Sequence, residues 1–202
     1  MSMLPGTIIG ILTPHGVVIA GEKRLTYDGF VLSRGVKKVY QITPRTGVGF
    51  AGLMGDVNFL VRVLKYEASY YELTHGREMN ARSLAKLTSI ILYSYKLAPL
   101  LTEVIIGGFD GETPSLYILD PVGSVIPEKY AALGSGSQLA LGYIEPRYRP
   151  DMGVEEAENL AVEAIKTVIE RDVLSGDGVN ILTITSKGAV EKEVLFTTPK
   201  PQ

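Results

Sequence analysis

Two stacked sheets, each covered by helices on its outer face, are the architecture this sequence predicts, within the α+β class. Three observations lead there. The strand-like segments are short, continuous apolar runs, which suits strands buried on both faces. Two long amphipathic segments follow one another directly in the middle of the chain. The order is strands, two helices, strands, helices, strands, which is neither a repeating βαβ pattern nor an all-strand sandwich.

The first third supplies the early strands. Thr7-Ile8-Ile9-Gly10-Ile11-Leu12 is apolar, Thr13-Pro14-His15-Gly16 is a turn, and Val17-Val18-Ile19-Ala20 returns, so a hairpin is expected. Val39–Ile42 and Val48–Ala51 follow, parted by Pro44-Arg45-Thr46-Gly47. Val57, Leu60, Val61, Leu64 and Ala68 recur at helical spacing, with Asp56 as the expected N-cap and Gly76 as the stop. A second helix is expected over residues 81–96, capped by Asn80 and ended by Pro99, with Leu84, Leu87, Ile91 and Tyr95 on one face. The two helices should form an antiparallel pair lying on a sheet. Strands return at Thr102–Gly107, Ser115–Asp120 and Val122–Ile126, with turns at Asp110-Gly111 and Asp120-Pro121. A short helix near residues 138–143 and a longer one over 154–171 precede the last strands, Val179–Thr185 and Val190–Phe196. The tail Thr197–Gln202 carries two prolines and should be loose. The length of 202 residues, without repeat or linker, suits one domain.

Composition narrows the function. The chain is 46% hydrophobic and 21% charged, as in an ordinary globular protein. Its 20 Lys+Arg against 22 Asp+Glu give a net charge of −2, which points neither to nucleic acid nor to an acidic membrane surface. The absence of cysteine removes disulfides and thiolate chemistry and fits a cytoplasmic protein. Only His15 and His75 could serve a serine triad or a histidine metal site, and both sit beside glycine in turn-like contexts. No apolar run reaches the roughly 18 residues of a membrane span. The leader Met1–Gly6 is too short for a secretory signal and reads as a short propeptide, leaving 7–202 as the domain.

The pair Gly6-Thr7 is the chemically suggestive feature. A chain cut after Gly6 would start with a threonine, whose hydroxyl is a nucleophile and whose free amine is a base beside it. Glu22, Arg24 and Lys38 lie downstream, and Ser135 and Ser175 sit in Gly-rich turns. Taken singly, a Glu-Lys pair can be structural and such serines usually form turns. Gly134-Ser135-Gly136 before a helix lacks the full glycine pattern and the lysine of a phosphate-binding loop.

Several short motifs occur in one register. They are Gly6-Thr7, then Ala20-Gly21-Glu22-Lys23-Arg24-Leu25-Thr26, then Lys37-Lys38-Val39-Tyr40-Gln41-Ile42, and Ala51-Gly52 with Gly55-Asp56. Gly134-Ser135-Gly136-Ser137 and Arg171-Asp172-Val173-Leu174-Ser175-Gly176-Asp177-Gly178 complete them. Jointly, over nearly the whole chain, they resemble a β-type subunit of the 20S proteasome in its archaeal form. The resemblance implies the four-layer αββα sandwich of N-terminal nucleophile hydrolases. It implies threonine-type endopeptidase activity inside stacked heptameric rings, self-cleavage of a zymogen leader, and no cofactor. Partners would be α-type subunits, other β-type subunits, unfolded polypeptide, and a regulatory ATPase acting through the α ring. By position, Thr7 is the candidate nucleophile, Glu22 the carboxylate, Lys38 the lysine, and Gly52 the oxyanion N–H. Ser135, Asp172 and Ser175 would orient the amine and its water. Thr26 would pair with a substrate strand, and Leu25, Tyr40, Phe50 and Met54 would form the specificity pocket. The bulk of Phe50 and Met54 leads us to expect a shallow pocket for small side chains.

The chain departs from the family pattern at one place. Active subunits begin Thr-Thr-x-x-Gly, with the nucleophile four residues before the glycine. Counting back from Gly10 reaches Gly6, and Gly16, Glu22, Arg24, Phe30 and Lys38 keep that register without a gap. One residue along a strand is about 3.3 Å and reverses the side-chain face. Thr7 should then point away from Lys38 unless a bulge between Thr7 and Gly16 restores the geometry. Two expectations follow: an enzyme subunit whose Thr7 is freed, or a silent ring subunit that needs a second, active β-type subunit.

Overall fold

Burial on both faces governs the central strands. The computed structural model describes residues 4–111 and 113–196. Strands β1 (Thr7–Thr13), β2 (Gly16–Glu22), β3 (Leu25–Tyr27), β4 (Phe30–Ser33), β5 (Val39–Thr43) and β6 (Thr46–Gly52) come first. Helices α1 (Met54–His75) and α2 (Ala81–Ser94) follow, then β7 (Thr102–Asp110), β8 (Thr113–Leu119), β9 (Val125–Pro127) and β10 (Tyr130–Gly134). Helices α3 (Ser137–Ile144) and α4 (Val154–Ile169) lead to β11 (Gly178–Thr185) and β12 (Gly188–Leu195). The first sheet runs β10-β1-β2-β11-β12 and the second β5-β6-β7-β8-β9, all antiparallel; β3 and β4 form a separate hairpin.

Side-chain alternation sorts the strands into three cores. Along β1, Ile8 enters the space between the sheets, whereas Ile9 and Ile11 face helices α3 and α4. Along β2, Val17 and Ile19 face the second sheet while Val18 and Ala20 face the helices. The second sheet sends Val48, Phe50, Val104 and Ile106 toward Leu60 and Leu64 of α1 and Leu84 and Leu92 of α2. The result is four layers, α3/α4, sheet, sheet, α1/α2, in agreement with the expected sandwich. Glycines let the two sheets approach: a Cβ on Gly49 would lie 2.9 Å from Ile19 Cγ2, and one on Gly107 only 2.6 Å from Val17 Cγ1.

Local details correct some expectations. Helix α1 starts two residues before Asp56, at a Leu53 N-cap with no side-chain bond. Asp56 instead sits in the first turn, and its Oδ2 accepts from the Leu101 N–H at 2.8 Å, tying the helix start to the approach of β7. Gly76 does end α1 in the left-handed conformation, and Asn80 does cap α2 by accepting from Ser83 N. The buried face of α2 is Ala81, Leu84, Ala85, Thr88 and Leu92; Leu87 and Ile91 flank it, and Tyr95 lies past the helix, edge-on to Phe59. Two features were not expected, strand β10 and the β3–β4 hairpin. The expected loose tail lies outside the described residues.

Gly49→Val should overpack the sheet interface and cost about 1–3 kcal/mol. It would appear as a lower urea midpoint of the isolated chain with an unchanged slope. Gly55→Ala, which meets nothing within 4 Å in the first turn of α1, should leave the midpoint unchanged or raise it.

Candidate active site

The ends of β1, β2, β6 and β10 and the turn before β11 converge on one buried polar cluster. Glu22, the last residue of β2, is wholly buried, as is Lys38 just before β5 to within a few per cent. The Lys38 Nζ donates to Glu22 Oε1 and, at 2.6 Å, to the Arg24 carbonyl. Glu22 Oε2 accepts from the Arg24 N–H at 2.7 Å and the Gly176 N–H at 2.9 Å. Burial pushes the Glu22 carboxyl up, against the opposing pull of the Lys38 ammonium and the two N–H donors. Burial likewise pushes Lys38 down, against the pull of Glu22. In both, burial is the larger influence and the partner's charge opposes it.

A second group surrounds Asp172. Its Oδ2 accepts from Ser135 Oγ at 2.7 Å and from Ser175 Oγ at 2.6 Å, and its Oδ1 accepts from the Leu174 N–H at 3.0 Å. Beside it, Asp177 is clamped by Arg24 and Arg34. Burial alone would raise the Asp177 carboxyl, but the two guanidinium groups hold it below the usual carboxylate range.

Thr7 lies between the two groups, and its side chain takes the helix side of β1. Its Oγ1 is 2.8 Å from Ser175 Oγ and accepts from the Gly136 N–H at 3.1 Å. The single Ser175 hydroxyl proton is directed to Asp172, so Thr7 Oγ1 donates to Ser175 Oγ. The Thr7 N–H points at Glu22 Oε1, 3.3 Å away. Pairing of β1 with β10 is unbroken from Thr7 to Ile11, and with β2 from Ile8 to Thr13. Over these residues β1 carries no bulge, so the pleat alone sets the faces. Gly6, one position earlier, takes the opposite face. A Cβ built on Gly6 would lie 2.8 Å from Lys38 Nζ and 3.1 Å from Glu22 Oε1.

Pro5 and Gly6 run through the same cluster. The Gly52 N–H, expected to face an oxyanion, donates to the Pro5 carbonyl at 3.0 Å. Gly52 adopts φ +142, and a Cβ there would meet the Leu101 carbonyl oxygen at 2.1 Å, so only glycine fits. The Ser135 N–H donates to the Gly6 carbonyl at 2.9 Å.

The chain matches the family model described as proteasome subunit over residues 3–184. It belongs to the proteasome subunit family. It is 70% identical over 194 residues to proteasome subunit beta 1 of Desulfurococcus amylolyticus, covering 96% of both chains. It is 60% identical over 196 residues to proteasome subunit beta 1 of Staphylothermus marinus, covering 97% of this chain and 92% of the relative. The protein of the same name from Ignicoccus hospitalis is 48% identical over 185 residues, covering 91% and 93%.

As a proteasome subunit, the chain brings together Glu22, Lys38, Gly52, Ser135, Asp172, Ser175 and Thr7 from distant sequence positions. The four residues singled out for the specificity pocket fare differently. Phe50 has no exposed surface and packs in the α1/α2 core, so it presents no side-chain surface to a ligand. Tyr40, Leu25 and Met54 are half-buried, with the Tyr40 ring 6.2 Å from that of Phe50. Thr26 lies in β3, which among the described residues pairs only with β4 and leaves its other edge open. The backbone donors Gly136 and Gly176 and the Pro5 carbonyl were not expected, because main-chain groups leave no side-chain signature. No cluster of metal-ligating side chains occurs among the described residues, and no described helix is long and apolar enough to cross a membrane.

Lys38→Met should leave the Glu22 carboxylate buried without its cation, a loss of about 3–5 kcal/mol once that group is ionised. Its folded-state pKa, already raised, would rise further. Stability from that group is present below the unfolded value and lost as pH climbs through the folded one. Urea midpoints should therefore fall further at pH 8 than at pH 5, relative to the unaltered chain. An equal drop at both would contradict the assignment.

Proposed function

We propose that this chain is a β-type subunit of the 20S proteasome core that sits unprocessed and catalytically silent in the inner rings. Those rings would be flanked by rings of α-type subunits in the cytoplasm. Peptide-bond cleavage in the particle, a threonine-type endopeptidase reaction on unfolded polypeptide delivered by an ATPase through the α ring, would come from a second β-type subunit.

One observation carries the silent reading: the Thr7 hydroxyl donates to Ser175 on the helix side of β1, on the face opposite Lys38. A threonine nucleophile needs its Oγ beside the lysine that favours its deprotonated form, and a free amine to take the proton. With Gly6–Thr7 intact, the Thr7 nitrogen is an amide and no base. Cutting that bond would free the amine but would not turn the side chain, because Thr7 is paired with Gly134 and the strand from Ile8 to Ile11 is paired on both sides. A misplacement of about 1 Å already costs on the order of a hundredfold in rate. The opposing reading, a subunit activated by cleavage after Gly6, is favoured by the Gly6-Thr7 junction itself.

The mass of this chain from assembled particles tests the proposal. Residues 4–6 should be retained, and a peptide electrophile that reacts with N-terminal threonine should label the second β-type subunit but not this one. A chain that begins at Thr7 and takes the label would establish the enzymatic reading instead.

A further inference from the structure

We infer that the open edge of β10 is a docking site for an extended segment of unfolded polypeptide, which adds to the first sheet as a further strand. The inference rests on the reading above only in placing this chain where unfolded polypeptide reaches it. It makes no use of Thr7, Glu22 or Lys38.

Strand β10 is the outermost of its sheet and pairs with β1 alone. The register fixes where its main-chain groups point. The Ser135 N–H donates to the Gly6 carbonyl, and the Lys129 carbonyl accepts from the Leu12 N–H, so positions 129 and 135 face β1. Positions 131 and 133 share that direction, and 130, 132 and 134 point the other way. The Gly134 N–H does so visibly, leaving the sheet to donate to Glu103 Oε2 at 2.8 Å. Among the described residues, the outward N–H and C=O groups of Tyr130 and Ala132 have no hydrogen-bond partner. Ala132 is only 5% exposed. Main-chain groups at such depth are almost always paired, and a strand edge left open is a template for another chain.

A cleft of about 680 Å³ runs along this edge. Tyr130 and Ala132 form one wall, Leu141 and Glu145 of α3 the second, and Ile118 and Pro127 of the second sheet the third. The small side chains of Ala131 and Ala132 let a further backbone approach to hydrogen-bonding distance. An added strand would turn alternate side chains toward α3 and toward β8 and β9. The β10 wall is held firmly, since the Tyr130 ring lies 4.8 Å from that of Tyr148 and its hydroxyl donates to Glu145.

The chemistry of the edge selects its occupant. Its free donors and acceptors recur at every second residue, which matches the main chain of an extended peptide. A helix cannot meet them, because its own main-chain groups are already bonded to one another. The edge reads no side chain, so it accepts many sequences, as unfolded polypeptide presents them. Because Glu103 already takes the Gly134 N–H, the free edge ends at Leu133 and pairs only a short segment. Glu128, Lys129 and Glu145 on the rim set two carboxylates against one ammonium, which favours neutral or basic segments over acidic ones.

Amide hydrogen exchange at single-residue resolution tests this. It is measured on assembled particles whose active subunits have been capped with a peptide electrophile. The probe is an acetylated, amidated heptapeptide of alternating Val and Thr. Saturating peptide should slow exchange of the Ala132 N–H at least about tenfold, while the Ala131 and Leu133 N–H groups, already bonded to β1, stay unchanged. The same peptide methylated on alternate amides should give no protection, and one with Glu in place of Thr should protect less. Ala132→Pro removes only the outward donor, a change that edge strands tolerate, and should weaken binding of the unmethylated peptide at least about tenfold. No slowing at Ala132, or equal slowing by the methylated peptide, overturns the inference. An Ala132 N–H already protected in the particle before peptide is added also overturns it, since a neighbouring subunit would then cover the edge. None of these outcomes bears on the silent reading, which stands or falls on the chain's mass and labelling.

Discussion

The pleat of β1 is the constraint on which this site depends. Each residue of that strand is paired through β2 or β10, and both of its faces are packed, by the second sheet on one side and by α3 and α4 on the other. A strand held in this way cannot rotate a side chain from one face to the other. A slip of one residue would drive Ile9 and Ile11 out of the helix-side core and into a sheet interface already narrowed by Gly49 and Gly107. Thr7 therefore shares the face of Ile9, and Gly6 shares the face of Ile8. The placement of one hydroxyl is set by the hydrophobic cores of the whole domain.

The polar cluster survives inside this frame because its members satisfy one another. Glu22 accepts from Lys38, from two backbone N–H groups and from the Thr7 N–H, while Asp172 accepts from two serines and from Leu174. Buried charges with this many partners are tolerated, whereas removal of one partner would strand the other. Backbone N–H groups beside the cluster also hold the chain that precedes β1, Gly52 bonding the Pro5 carbonyl and Ser135 the Gly6 carbonyl. The cluster can persist for structural reasons even where no nucleophile uses it.

Much of the fold was legible because burial on both faces leaves continuous apolar runs such as Thr7–Leu12, and because caps such as Asn80 and Gly76 have local signatures. Strand β10 escaped because Tyr130-Ala131-Ala132-Leu133-Gly134 is small-residue rich and owes its conformation to pairing with β1. The β3–β4 hairpin carried a readable signal, Asp28-Gly29, both residues at positive φ, but its flanking strands are short and largely exposed. Asp56 reads as a cap locally, yet it serves a tertiary contact with Leu101. At the site, Glu22, Lys38, Gly52, Ser135, Asp172 and Ser175 could be singled out only by their joint register. The one-residue offset of Thr7 was visible by counting from Gly10. That Pro5 would fill the oxyanion position was not, since nothing in a sequence marks where a carbonyl points.

A density map of the assembled particle, resolved well enough to place side chains at residues 4–10, tests the account most directly. The account predicts unbroken density through Gly6, the Pro5 carbonyl on the Gly52 N–H, and the Thr7 hydroxyl between Ser175 and Gly136. A chain beginning at Thr7, with its hydroxyl turned to within hydrogen-bond reach of Lys38 Nζ, would contradict it.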